Sequence, residues 1–111
     1  MKKLIALVGL AGAACAAVAA PDNVPLDGRA LFEEKCAMCH RDMGMGTGLL
    51  QRRMDANIAR LENRTDLTSE FVVMAARIGI GNMPRIPRGE ASDAELRAIG
   101  DYLADSATRA P

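Results

Sequence analysis

The chain has no tryptophan, two phenylalanines, one tyrosine, one histidine and three cysteines in 111 residues, and its acidic and basic side chains balance. Each scarcity excludes something. Three aromatics make a thin core, and a domain this small usually needs a staple beyond its own apolar contacts. A lone histidine, His40, leaves no second one for paired acid–base chemistry. It also argues against a structural zinc site, which takes four nitrogen or sulfur ligands, usually as two separated pairs. Outside residues 36–40 the chain offers only Cys15. No strand pattern stands out, so the βαβ setting of a thioredoxin-like cysteine pair is missing. Balanced charge gives no basic face for nucleic acid.

What is present begins with a leader. Met1-Lys2-Lys3 and an uncharged run over 4–20, rich in Ala, Leu, Val and Gly, are the basic and apolar regions of a signal peptide, and Ala17-Val18-Ala19 is its small-residue exit. Residues 1–19 are therefore expected to be cleaved near Ala19 and Ala20, leaving 20–111 as one domain in a periplasmic or secreted location. Retained, the same run would be a membrane anchor. Cleavage takes the basic count from 14 to 12 against 14 acidic residues and removes Cys15, so that Cys36 and Cys39 are the remaining thiols.

Those thiols stand in Cys36-Ala37-Met38-Cys39-His40, the Cys-x-x-Cys-His attachment signature of a c-type haem. On a helix, positions three and four apart share a face, so both thiols and the imidazole project together. Two thiols one turn apart suit addition to the two vinyl groups along one porphyrin edge, and the imidazole in the same turn reaches the iron as proximal ligand. A covalent haem would be the missing staple, its apolar surface contributing roughly 25 cal/mol per Å² buried.

Around the motif the pattern is helical. Asp27 is a good N-cap for a helix over 28–39, in which Gly28 and Phe32 stand one turn apart. A glycine there signals close approach by another backbone. Residues 41–48, with three glycines, read as a loop. Leu50, Met54, Ile58 and Leu61 form one stripe of a helix over 49–63, and the arginines around it, Arg52, Arg53, Arg60 and Arg64, read as a solvated face, with propionate pairing or partner docking as the other reading. Thr68 caps a helix over 69–78 with Phe71, Met74, Ala75 and Ile78 as its apolar stripe, stopped by Gly79 and Gly81. Residues 82–89 are too rich in proline and glycine for regular structure. Ser92-Asp93-Ala94-Glu95 is a capping box that opens the last helix, with Leu96, Ile99, Tyr102 and Leu103 on one side. Gly100 inside that helix implies a packing reason.

The second axial position cannot be filled by another histidine of this chain, which leaves a methionine or an open site. Met38 lies between the cysteines, Met43 and Met45 follow His40 too closely, and Met54 and Met74 sit on apolar helix faces as core. Met83 remains, after a glycine-broken helix and before a proline that fixes the chain direction. The expected site is thus Cys36 and Cys39 for covalent haem, with His40 and Met83 as axial iron ligands.

Gly28-Arg29-Ala30-Leu31-Phe32 leading into the haem motif, the glycine-rich stretch, Asn82-Met83-Pro84 and the closing helix together resemble a small monohaem class I cytochrome c over the whole of 20–111. The resemblance implies an all-α fold, about four helices wrapped around one covalently bound haem. The first and last helices would cross where Gly28 and Phe32 meet the 99–103 region, with the Gly100 and Gly28 faces together. Such proteins usually carry a Gly-Pro-x-Leu turn whose carbonyl orients the imidazole; here it is Gly46-Thr47-Gly48-Leu49. The resemblance also implies single-electron transfer rather than catalysis, with redox proteins as partners. A dehydrogenase, such as a flavoprotein oxidising phenolic alcohols, would be the donor and an oxidase or another cytochrome the acceptor. A haem enzyme or gas sensor with an exchangeable sixth ligand is the alternative. No nucleic-acid partner is expected, and a membrane only through a retained leader.

Overall fold

The computed structural model describes residues 24–106, and the expected signal peptide lies outside them. Six α-helices follow one another: α1 (Gly28–Lys35), α2 (Ala37–His40), α3 (Met45–Leu50), α4 (Ala56–Ala59), α5 (Ser69–Ile78) and α6 (Asp93–Ala104). A single 3-10 turn, Leu61–Asn63, precedes α5. Among the described residues there is no strand, only an isolated bridge between Ile80 and Met83. The all-α expectation holds.

The three longest helices start where side chains satisfy their free N–H groups. Asp27 accepts from the backbone N–H of Arg29 at 3.0 Å and of Ala30 at 3.2 Å. The Thr68 hydroxyl accepts from Phe71 N–H at 3.2 Å. At α6 the capping box closes both ways: Glu95 N–H donates to the Ser92 hydroxyl at 3.2 Å, and Ser92 N–H donates to the Glu95 carboxylate at 2.7 Å. α5 ends where Gly79 turns to a φ of +76°, a conformation that favours glycine.

α1 and α5 both pack on α6. Phe32, Leu67, Ala76, Ala91, Leu96, Ile99 and Leu103 form the core. The fully buried Phe32 ring lies 5.9 Å from that of Tyr102, tilted by 44°. An added Cβ at Gly28 would stand 2.8 Å from the Ala98 carbonyl carbon and 2.9 Å from Tyr102 Cβ, so α1 crosses α6 with backbone against backbone. Gly100 has a different partner from the one expected. Its Cβ would meet Ser69, 2.7 Å from Oγ and 2.9 Å from the carbonyl oxygen, so it admits the first turn of α5 rather than facing Gly28.

Between α1 and α5 the structure departs from the sequence reading. The helix expected over 28–39 breaks at Cys36, whose φ is −123°. Helical bonding restarts there, the Cys36 carbonyl accepting from Cys39 N–H at 3.1 Å and from His40 N–H at 3.0 Å. The stretch 41–48 is not all loop, because Met45 to Gly48 open α3. No continuous helix covers 49–63. The chain turns after Leu50, Asp55 accepts from Asn57 N–H at 2.8 Å to start the four-residue α4, and Arg60 leaves it in an extended conformation. The apolar stripe over 50–61 has no single protein face to bury it, and Ile58 is exposed.

Candidate functional site

Cys36, Cys39 and His40 occupy one turn between α1 and α3, and both cysteines are free thiols. Cys36 packs against the core, and burial pushes its thiol up to about 11, against a smaller opposing effect of Lys35. Cys39 is exposed. Burial holds the His40 imidazole below its usual 6.5, so at neutral pH it is uncharged, the form that binds metals. Its Nδ1 is buried without a hydrogen-bond partner. Gly46 lies directly over it, for an added Cβ would stand 3.0 Å from Cε1, 3.2 Å from Nδ1 and 2.8 Å from the Cys39 carbonyl oxygen. The glycine read as a loop former is instead the point where α3 presses on the imidazole. Thr47, beside it, is buried with its hydroxyl likewise unpartnered.

Met83 sits in a separate turn after α5, its N–H donating to the Ile80 carbonyl at 2.9 Å. A Cβ on Gly79 would come within 2.7 Å of the Met83 carbonyl oxygen. Met83 is half-buried and packs against the same core as Cys36, whereas Cys39 is exposed.

The α5 stripe is only partly core. Ala75 and Ala76 are buried, whereas Phe71, Met74 and Ile78 are 42, 42 and 60% exposed, which corrects the assignment of Met74 to the core. Met54 is half-buried. Large apolar side chains left uncovered by polypeptide suit a broad apolar ligand. Together with the imidazole, whose Nδ1 edge Gly46 covers, and the free thiol pair, they are residues that fit a haem.

A polar cluster next to the motif was not foreseen. Arg41 follows His40, and its guanidinium lies 5.8 Å over the Phe32 ring. It donates to Glu62 at 3.1 Å through both Nε and Nη2, and to Glu33 at 3.0 Å. The Tyr102 hydroxyl donates to Glu62 at 2.6 Å. Burial by itself would raise the Glu62 carboxyl, but the bonds from Arg41 and Tyr102 prevail and hold it below the usual 4.5. The turn that ends in His40 is thereby tied to α1, to the 3-10 turn and to α6. The arginines expected on a solvated face divide: Arg60 pairs with Asp42 at 3.2 Å and Arg64 with Asp66 at 2.7 Å, while Arg52 and Arg53 are exposed.

An all-α chain whose first and last helices cross, carrying a Cys-x-x-Cys-His turn and a methionine turn on one core, has the make-up of a class I c-type cytochrome. The family model described as cytochrome c oxidase, cbb3-type, subunit III matches residues 23–103, and the chain belongs to this family of monohaem c-type cytochromes. The family's cofactor is covalently attached haem c with its iron, and membership implies electron transfer through that haem. No curated protein and no solved structure matches the chain. Among the described residues no helix is long and apolar enough to cross a membrane.

Proposed function

We propose that the protein is a periplasmic carrier of single electrons in which Cys36 and Cys39 hold the haem through thioethers and His40 and Met83 ligate its iron. The observation that carries the reading is the seat of His40: a neutral imidazole, its Nδ1 buried under Gly46, in one turn with two free thiols. Haem supplies a one-electron couple when bound. The chain's own residues set its terms. Gly46 and the Arg41 cluster fix the proximal turn. Gly79 and the Ile80–Met83 bridge hold the backbone of Met83, whose thioether would favour reduced iron and keep other molecules from it. With no histidine beyond His40 the chain lacks the usual acid–base group of a haem enzyme, which favours the carrier. In this reading a dehydrogenase is the donor and an oxidase or another cytochrome the acceptor.

Replacing Met83 tests this. Met83→Ala should lose the long-wavelength sulfur-to-iron absorption band, bind carbon monoxide readily and have a lower potential, while Met54→Ala and Met74→Ala keep the band. If the wild type already binds carbon monoxide quickly, or the band survives in Met83→Ala, the sensor or enzyme reading replaces the carrier.

A further inference from the structure

The segment that carries Met83 has a charge bias that holding an iron does not require. Between Glu70 and Glu90 the sequence has three arginines, Arg77, Arg85 and Arg88, and no aspartate or glutamate, in a chain whose charges balance. The fold gathers all three. With Ile86 and Pro87 they line an open groove of about 450 Å³ that starts two residues beyond the methionine.

The three guanidiniums have unequal duties. Arg77 frames the groove, donating to the carbonyls of Ile86 and Ala91 at 2.8 Å each and to Asp93 at 2.7 Å. Arg88 shares Asp93 at 3.0 Å yet stays 74% exposed. Arg85 is exposed and bonds at 3.4 Å to the Arg77 carbonyl, with no carboxylate partner among the described residues. Among the described residues, Asp93 is the carboxylate that pairs with Arg77 and Arg88.

We infer that this groove is a docking face for a redox partner that presents clustered carboxylates. The inference rests on the carrier reading above. An apolar floor with an arginine rim is the make-up of protein interfaces, and guanidinium forks match carboxylates in geometry as well as charge. The groove is open, so a lone small anion would keep its water, whereas several carboxylates on one surface engage several arginines together. Charge of one sign concentrated beside the methionine turn also steers an acidic partner toward that part of the molecule.

Arg52 and Arg53, exposed in the turn after α3, are the rival docking site and supply the control. Amide spectra of the reduced holoprotein are recorded at low ionic strength while deca-glutamate is added. The wild type, Arg85→Gln with Arg88→Gln, and Arg52→Gln with Arg53→Gln are compared. Oxidation of each by hexacyanoferrate(III) is followed by stopped flow. Peptide shifts are expected at the groove, lost in the first pair and kept in the second. The oxidation rate of the first pair should fall on the order of tenfold at low salt and converge on wild type at high salt. Shifts centred on residues 52 and 53, no shifts at all, or equal losses in both pairs would overturn the assignment. Peptide binding at the groove in a protein that does not exchange electrons with hexacyanoferrate would instead refute the carrier reading.

Discussion

The helices α1, α5 and α6 and the stretch between α2 and the 3-10 turn rest on the same small core but are held by different means. The three longer helices, of 8, 10 and 12 residues, are capped by side chains and meet through buried apolar residues. The intervening helices have only four or six residues. Helices that short do not persist on propensity, because nucleation costs more than a turn or two returns. Their shape is held by the contact of Gly46 with His40, by the local Asp55 cap and by the Arg41–Glu62–Tyr102 ties. One region therefore derives its order from burial, and the other from specific polar contacts around the place where haem is expected.

Substitutions can break this contrast. The largest effect should come from Phe32→Ala, which empties a fully buried site and should cost about 3–5 kcal/mol by chemical denaturation. A loss no larger than that of a surface change would mean that the α1–α6 core is not the seat of stability. Gly28→Val comes next. Overpacking typically costs about 1–3 kcal/mol, and here the obstacle is backbone, so the upper end is expected, with each kcal/mol lowering Tm by roughly 4–8 °C.

Glu62→Gln probes the other region, removing the charge that Arg41 and Tyr102 share, with an expected loss of about 1.5 kcal/mol. The loss should depend on pH. The Glu62 carboxyl is depressed in the fold, so its contribution is complete above the ordinary value of 4.5 and disappears as pH falls through the lower folded value. Wild type and variant should therefore converge in acid, and a gap that stays constant down to the lowest pH would show that charge is not what ties the turn. Ser92→Ala is the smallest, at about 1 kcal/mol from half of a capping box, and should leave the haem spectrum unchanged.

The same contrast decides what could be read from the sequence. Asp27, Thr68 and the Ser92 and Glu95 pair gave the starts of α1, α5 and α6 because caps are local chemistry. The haem motif was legible for a related reason, since covalent attachment demands fixed spacing, and the family match agrees with it. Periodicity misled over 49–63, where apolar residues recur at helical spacing without one protein surface to receive them. It found α5 as a helix and then overstated its core, because Phe71, Met74 and Ile78 are not covered by protein. The Glu62 cluster was out of reach. Its bonds to Arg41 and Tyr102 span 21 and 40 positions, and no single-sequence pattern pairs charges at that distance.

The crossing at Gly28 also has an entropic meaning. It sets residue 28 against residue 98, closing a loop of about seventy residues, for which the length-dependent entropy cost is on the order of 4 kcal/mol. That cost grows only with the logarithm of length, so ten more residues in the exposed turn after α3 would add about 0.1 kcal/mol. The crossing thus works as a clasp that is nearly indifferent to how much chain it encloses. The fold can lengthen or shorten its middle at little thermodynamic penalty, provided the residues at the clasp keep their size.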